Sequence, residues 1–156
     1  MHWLSEMAEK GKEGVFVMDD QELMTILSMT RRIALVGAST KPDRPSYGVM
    51  KFLLAQGYDV VPVNPALAGV LLHERKIVGT LAEAAPFDML DLFRRPTEVM
   101  RPVEEAIALG AKSIWMQLGI VNQDAAKKAR QAGLAVVMNR CLAIEISRLC
   151  PVVAKI

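Results

Sequence analysis

Residues Val36 to Gly48 read VGASTKPDRPSYG. A short run, Arg32-Ile33-Ala34-Leu35-Val36, leads into them, and an amphipathic segment starts near Ser46. A strand, a small-residue turn and a helix start in that order suit a phosphate group. Small residues let the backbone come close, and the helix lends its positive end. Here the loop also carries Lys41 and Arg44, with Pro42 and Pro45 to stiffen their presentation.

Outward from this loop, five hydrophobic runs recur: Ile33–Val36, Val60–Val63, Met89–Phe93, Ile114–Leu118 and Leu134–Met138. Each is nearly continuous, as expected of strands buried on both faces. Helical spacing separates them. Val49, Met50, Leu53 and Leu54 follow Ser46 and close at Gly57. Val99, Val103, Ala106 and Ile107 follow Pro96 and close at Gly110, and Ala125, Ala126, Ala129 and Ala132 follow Asn122, a suitable N-cap. A first helix is predicted from Asp19 or Asp20 through Leu27, and a last one from Cys141 to Leu149. Between Ala66 and Ala85 the pattern is weak and predicts a loop, a short strand at Lys76–Val78 and one helical turn at Leu81–Ala84. This alternation predicts an α/β fold: a Rossmann-like, doubly wound, mainly parallel five-stranded sheet with helices on both faces.

At 156 residues the chain suits one domain, assigned to residues 19–150, with a flexible extension over 1–18 and a tail over 151–156. Met18 is a second candidate start. The first eighteen residues lack an apolar block, so they do not resemble a signal peptide. No stretch approaches the roughly 20 apolar residues of a membrane span. A net charge of +2 gives no reason to expect nucleic acid. Cys141 and Cys150 match no usual zinc spacing, and neither His2 nor His73 has the neighbours of a metal site. The expectation is a reduced, cytoplasmic protein. Its oligomeric state, homo-oligomer included, stays open.

In a doubly wound sheet, ligands bind outside the carboxyl ends of the strands. The five strands are followed by Gly37-Ala38-Ser39 with Lys41 and Arg44; by Asn64-Pro65; by Arg94-Arg95 after Phe93; by Gln117 and Gly119; and by Asn139-Arg140-Cys141. Lys41, Arg44, Arg94, Arg95 and Arg140 thus share one rim, opposed within these segments only by Asp43. Any one of them is as readily explained as a solvated surface cation. Together they favour an anionic ligand.

A nicotinamide dinucleotide fits less well. The loop lacks the second and third glycines of G-x-G-x-x-G, and the second strand ends Val61-Pro62-Val63-Asn64-Pro65, without the acid that grips ribose hydroxyls. Asn64 tolerates a ribose phosphate, so an NADP-binding oxidoreductase or redox sensor is the alternative.

VGASTKPDRPSYG, PVNP, DLFRRP, QLGI and MNRC, in this order, resemble the small CoA-binding proteins. These are single-domain relatives of the nucleotide-binding part of the succinyl-CoA synthetase alpha subunit. The resemblance runs from Asp20 to Leu149 and implies a Rossmann-like domain holding coenzyme A, or an acyl-CoA, across the strand ends. Carried over by position, it places Gly37, Ala38 and Ser39 at the diphosphate with Lys41 and Arg44 around the phosphates. It sets Asn64 and Pro65 beside the nucleotide and puts Phe93, Arg94 and Arg95 on the opposite wall. Gln117, Asn139 and Arg140 fall closer to the emerging pantetheine arm. The synthetase passes phosphate through a histidine in a second domain; here His73 lies in the weak loop and the chain ends at Ile156. Binding without catalysis is therefore expected, with a small-molecule partner and neither nucleic acid nor membrane. An interaction protein with a vestigial pocket is a third reading.

Other residues invite chemistry but have simpler readings. Cys141, beside Arg140 at a helix start, could form a mixed disulfide with the CoA thiol; packing the helix start is favoured. Asp88 and Asp91 stand three apart on a strand, which points them to opposite faces and argues against an acid–base dyad. Asp91 is expected to hydrogen-bond a neighbouring loop. Trp115 and the scattered methionines read as core, Glu104 and Glu105 as a solvated face.

Overall fold

The computed structural model describes residues 18–151. Its main chain alternates between strand and helix in the predicted sense. In order come α1 (Asp20–Met29), β1 (Arg32–Val36), α2 (Pro45–Ala55), β2 (Asp59–Val63), a two-stranded hairpin β3 (Leu71–Leu72) and β4 (Arg75–Lys76), and α3 (Leu81–Ala84). Then follow β5 (Met89–Leu92), α4 (Met100–Ala108), β6 (Ser113–Met116), α5 (Gln123–Gln131), β7 (Ala135–Val137) and α6 (Leu142–Leu149).

The five long strands form one parallel sheet in the order β2-β1-β5-β6-β7. This is the Rossmann-like, doubly wound architecture. From β1 the chain moves one way to β2, then crosses back to build the other half from β5. The reversal leaves a crevice where the ends of β1 and β5 diverge, the place where such sheets bind ligands.

Strand periodicity divides the core into two layers. Ile33, Leu35, Met89 and Trp115 pack with Leu23 and Leu27 of α1, Met50 and Leu53 of α2, and Leu142 and Ile146 of α6. Ala34, Leu90, Leu92 and Ile114 pack with Leu81 of α3, Val103 and Ala106 of α4, and Ala125 and Ala129 of α5. Small alanines let α5 lie close on the sheet. Caps define the helices locally. Asp19 accepts from the Glu22 amide at 2.9 Å, and Asn122 from the Ala125 amide at 3.0 Å. No described helix is long and apolar enough to cross a membrane.

Three features differ from the sequence expectations. Residues 1–17, assigned to the extension, and 152–156, assigned to the tail, lie outside the described residues, but Met18 is buried. Pro96–Glu98 forms a 3-10 turn, so α4 begins only at Met100. The weak region folds as the β3–β4 hairpin, and Val78 bridges Val63 on the outer edge of β2, its amide donating to Pro62 O at 2.9 Å. That segment covers part of an edge that would otherwise expose unpaired backbone groups.

At the opposite end, Asp88 fastens the sheet. Its Oδ2 accepts from the Arg31 and Arg32 amides, both at 3.0 Å, and Lys112 Nζ stands 3.5 Å from Oδ1. Burial alone would raise this carboxyl; the Arg32 and Arg31 amides and then Lys112 outweigh it and hold it below the ordinary range. Asp88→Ala is expected to cost about 1–3 kcal/mol by leaving two amides unpaired. A depressed pKa contributes stability above the unfolded value of about 4 and loses it as pH falls through the folded value. Urea titrations of both proteins should therefore differ at pH 7 and converge in acid.

Candidate functional site

The crevice at the β1/β5 ends opens into a cavity of about 620 Å³. A second cavity of about 640 Å³ lies at the amino ends of the strands, bounded by Asp19, Met29, Asp88, Lys112 and Gly133. The first is the candidate site: it occupies the topological switch point and carries the cations.

Its near wall is the loop after β1. Gly37 has φ +93°, and a Cβ there would fall 2.3 Å from the Phe93 carbonyl oxygen. Only glycine allows this approach and this dihedral together. The Gly37 and Ala38 amides both donate to Val63 O, at 3.0 and 3.3 Å, so their contribution to the cavity is close backbone approach. The next amides, of Ser39 and Thr40, have no acceptor among the described residues. Ser39 Oγ instead accepts from the Lys41 amide at 3.1 Å, shaping the loop. Arg44 is the N-cap of α2 without a capping hydrogen bond, and Pro45 takes the first helical position. The positive end of α2 thus stays open beside Ser46, which lines the cavity.

Asn64 joins this wall to β2. Its Nδ2 donates to Ala38 O at 2.8 Å and its Oδ1 accepts from the Ala66 amide at 3.0 Å. A carboxylate could not make the first bond, an independent reason for the missing acid at this strand end. Phe93 and Arg94 form the opposite wall, and Gln117 with Leu118 and Ile120 the far one.

Of the sequence candidates, Gly37, Ala38, Ser39, Lys41, Arg44, Asn64, Phe93, Arg94 and Gln117 line this one cavity. Pro65 and Arg95 do not: Pro65 opens the 3-10 turn to Leu67, and Arg95 precedes the turn at Pro96. Arg140 also leaves the rim. Its Nη1 pairs with Glu145 at 2.9 Å, while its carbonyl accepts from Trp115 Nε1 at 2.8 Å. Asn139, at φ +59°, accepts from the Gly119 amide at 2.8 Å and ties the turns after β6 and β7. Sequence reasoning missed Ser46, Val49, Leu118 and Ile120 as lining residues. Leu118, counted in the strand run Ile114–Leu118 by the sequence, instead lies past the end of β6 and is 61% exposed.

Lys41 and Arg44 are exposed and Arg94 is half-buried. Among the described residues none of the three forms a salt bridge, whereas Arg140, Arg148, Arg75 and Lys128 all do. The site's remaining polar group lies beneath it. Asp91 is fully buried and accepts from Gln117 Nε2 at 2.6 Å; burial pushes its carboxyl up to about 7, although the Gln117 bond opposes this. Asp88 and Asp91 bind different partners and form no dyad.

A doubly wound parallel sheet with an uncapped helix start and, among the described residues, unpaired cations at its switch point is an arrangement suited to anionic, nucleotide-type ligands. The CoA binding domain model matches residues 31–147, and the chain belongs to that family. It is 36% identical over 124 residues to the Bacillus subtilis (strain 168) protein YneT, covering 79% of this chain and 90% of that one. Among solved structures, a Pyrococcus horikoshii OT3 protein is 44% identical with a TM-score of 0.80, over 85% of this chain and 93% of its own. A Thermus thermophilus protein is 41% identical with a TM-score of 0.80, over 85% and 99%.

Two outcomes follow for the cavity's frame. Gly37→Ala forces both a strained dihedral and a clash with Phe93 O, and should destabilise by about 2–4 kcal/mol, read as a fall in the denaturant midpoint. Asp91→Asn should stabilise the fold. An acid with a raised folded pKa loses stability as pH climbs from about 4 to about 7, so the gain grows over that range, to at most about 4 kcal/mol at pH 8. Chemical denaturation at pH 5 and pH 8 checks the sign.

Proposed function

We propose that this protein is a non-catalytic binder of coenzyme A or an acyl-CoA, held at the carboxyl edge of the sheet. The observation that carries the reading is Arg94. Arg94 is a half-buried residue that lines the cavity and forms no salt bridge among the described residues, an arrangement that becomes favourable when an anion arrives. Lys41 and Arg44 line the same cavity with Ser39, whose amide has no acceptor among the described residues, and with Ser46 at the open end of α2. Together these groups suit a diphosphate and one further phosphate.

The other end of the cavity suits the rest of the ligand. Phe93, Leu118 and Ile120 offer apolar surface, and Gln117 a polar floor, for an uncharged amide-bearing arm. The residues present therefore fit coenzyme A, which would supply a thiol carrier and no chemistry of the protein's own. Membership of the CoA-binding domain family supports the same ligand. Cys141, a half-buried free cysteine, also borders the cavity.

Calorimetric titration with CoA, dephospho-CoA, NADP and NAD tests this reading. CoA should bind best and weaken on loss of the 3′-phosphate. Arg94→Ala should cost about 1.5–3 kcal/mol of binding, the range of a hydrogen bond to a charged group. Lys41→Ala and Arg44→Ala should each cost less, because exposed charges are screened. A preference for NADP, or no heat with any of the four ligands, would overturn the proposal.

A further inference from the structure

Asp91 sits behind the cavity and touches it through one residue. It lies on the central strand between Leu35 of β1 and Trp115 of β6, wholly buried. Gln117 Nε2 donates to Asp91 Oδ1 at 2.6 Å, while Gln117 Oε1 accepts from the Leu142 amide at 3.3 Å. Both ends of one side-chain amide are thereby specified, so Gln117 presents a fixed surface to the cavity it lines. Asp91 Oδ2 has no hydrogen-bond partner.

Resting on the coenzyme A reading of the cavity, we propose that Asp91 and Gln117 form a proton-linked positioning pair. An anionic ligand is held most tightly when Asp91 carries a proton, and its binding draws that proton in. A diphosphate placed among Lys41, Arg44 and Arg94 brings negative charge into the cavity that Gln117 also lines. An ionised Asp91, desolvated and without a cation beside it, repels that charge through the protein interior. A proton on Oδ2 removes the repulsion and leaves Oδ1 free to accept from Gln117.

Among the described residues the Asp91 carboxyl has no hydrogen-bond partner but Gln117. β1 and β6 contribute Leu35, Trp115 and Gln117, and α1 and α2 bring apolar side chains such as Leu27 and Met50 to the same core layer, with Ser46 as the buried polar residue at the start of α2. From the α6 side come Cys141 and Glu145, the latter held by Arg140 and Arg148. Burial keeps the Asp91 carboxyl near 7, so the proton exchanges in the neutral range.

The test is titration calorimetry of dephospho-CoA, whose diphosphate stays ionised throughout, at pH 6, 7 and 8 in buffers of different ionisation enthalpy. In the wild type, affinity should fall about fivefold from pH 6 to pH 8, the part of a roughly tenfold electrostatic coupling that a carboxyl near 7 expresses over that range. Proton uptake should accompany binding around pH 7. Asp91→Asn keeps an acceptor for Gln117 and should bind with the wild type's pH 6 affinity at every pH, without proton uptake. His73 remains in both proteins and cannot account for the difference. A flat wild-type profile, or the same slope in Asp91→Asn, overturns the pair while leaving the coenzyme A reading intact. Failure of both dephospho-CoA and CoA to bind at any pH overturns that reading and the pair with it. Should Asp91→Asn not fold, carbon-13 titration of the wild-type Asp91 carboxyl decides: a rise in its pKa on binding supports the pair, and no change refutes it.

Discussion

The close contact between Gly37 and the Phe93 carbonyl sets the geometry of the switch point. Strands β1 and β5 are neighbours, with Phe93 N donating to Val36 O at 2.9 Å, and their chains then diverge to opposite halves of the sheet. How far apart the two walls stand depends on how tightly the first turn can be made. Gly37 turns at φ +93° with no Cβ, and Val63 O gathers both the Gly37 and Ala38 amides. The loop is thus tied to β2 on one side and pressed on β5 on the other. Lys41, Arg44 and the start of α2 are carried on that tie. A looser turn would place the same cations but without a fixed distance to Arg94.

Charge is then distributed by partnership rather than by number. A net charge of +2 would pass unnoticed, yet carboxylates elsewhere are taken up locally. Arg75 pairs with Asp59, Arg148 with Asp20 and Glu145, Arg101 with Glu105, and Lys112 stands by Asp88. The Arg148–Asp20 pair draws that acid below its ordinary range, chiefly through the hydrogen bond, and latches α6 to α1. Most such exposed pairs add little stability. Their effect here is on what remains: among the described residues, Lys41, Arg44 and Arg94 at the carboxyl edge are left without a salt bridge.

Most of the architecture was legible because it follows from period and punctuation. The five strands are near-continuous apolar runs, and Asp19, Asn122 and Gly57 mark helix ends through caps and a positive φ. The β3–β4 hairpin was legible only in its second strand, expected at Lys76–Val78 and found at Arg75–Lys76 with Val78 bridging Val63. Its turn places His73 at φ +48° and Glu74 at φ +67°, conformations normally signalled by asparagine or glycine. Tertiary contact holds them instead, with His73 Nε2 2.9 Å from Tyr47 O. In the site, position after a strand brought the right segments together but could not say which way each side chain turns. Neighbouring Arg94 and Arg95 part company, and Arg140 is claimed by Glu145, five residues on along the chain. Met18 escaped notice because burial is decided by what packs over a residue, not by its own neighbours in sequence.

Asp91 is a wholly buried carboxyl in a largely apolar core layer. Its layer partners are Leu35 and Trp115, and a leucine would satisfy the same register without burying a carboxyl. The polar pair does what an apolar pair cannot. Gln117 follows the last residue of β6, where the chain turns through Gly119 at φ +80°, and its side chain would otherwise be free to rotate at the cavity floor. With Asp91 below and the Leu142 amide ahead, both amide ends are committed before any ligand arrives. The ordering cost is met during folding rather than on binding, so less of the binding energy goes into arranging the site. Stability given up beneath the sheet edge is thus recovered as a floor that already has its shape.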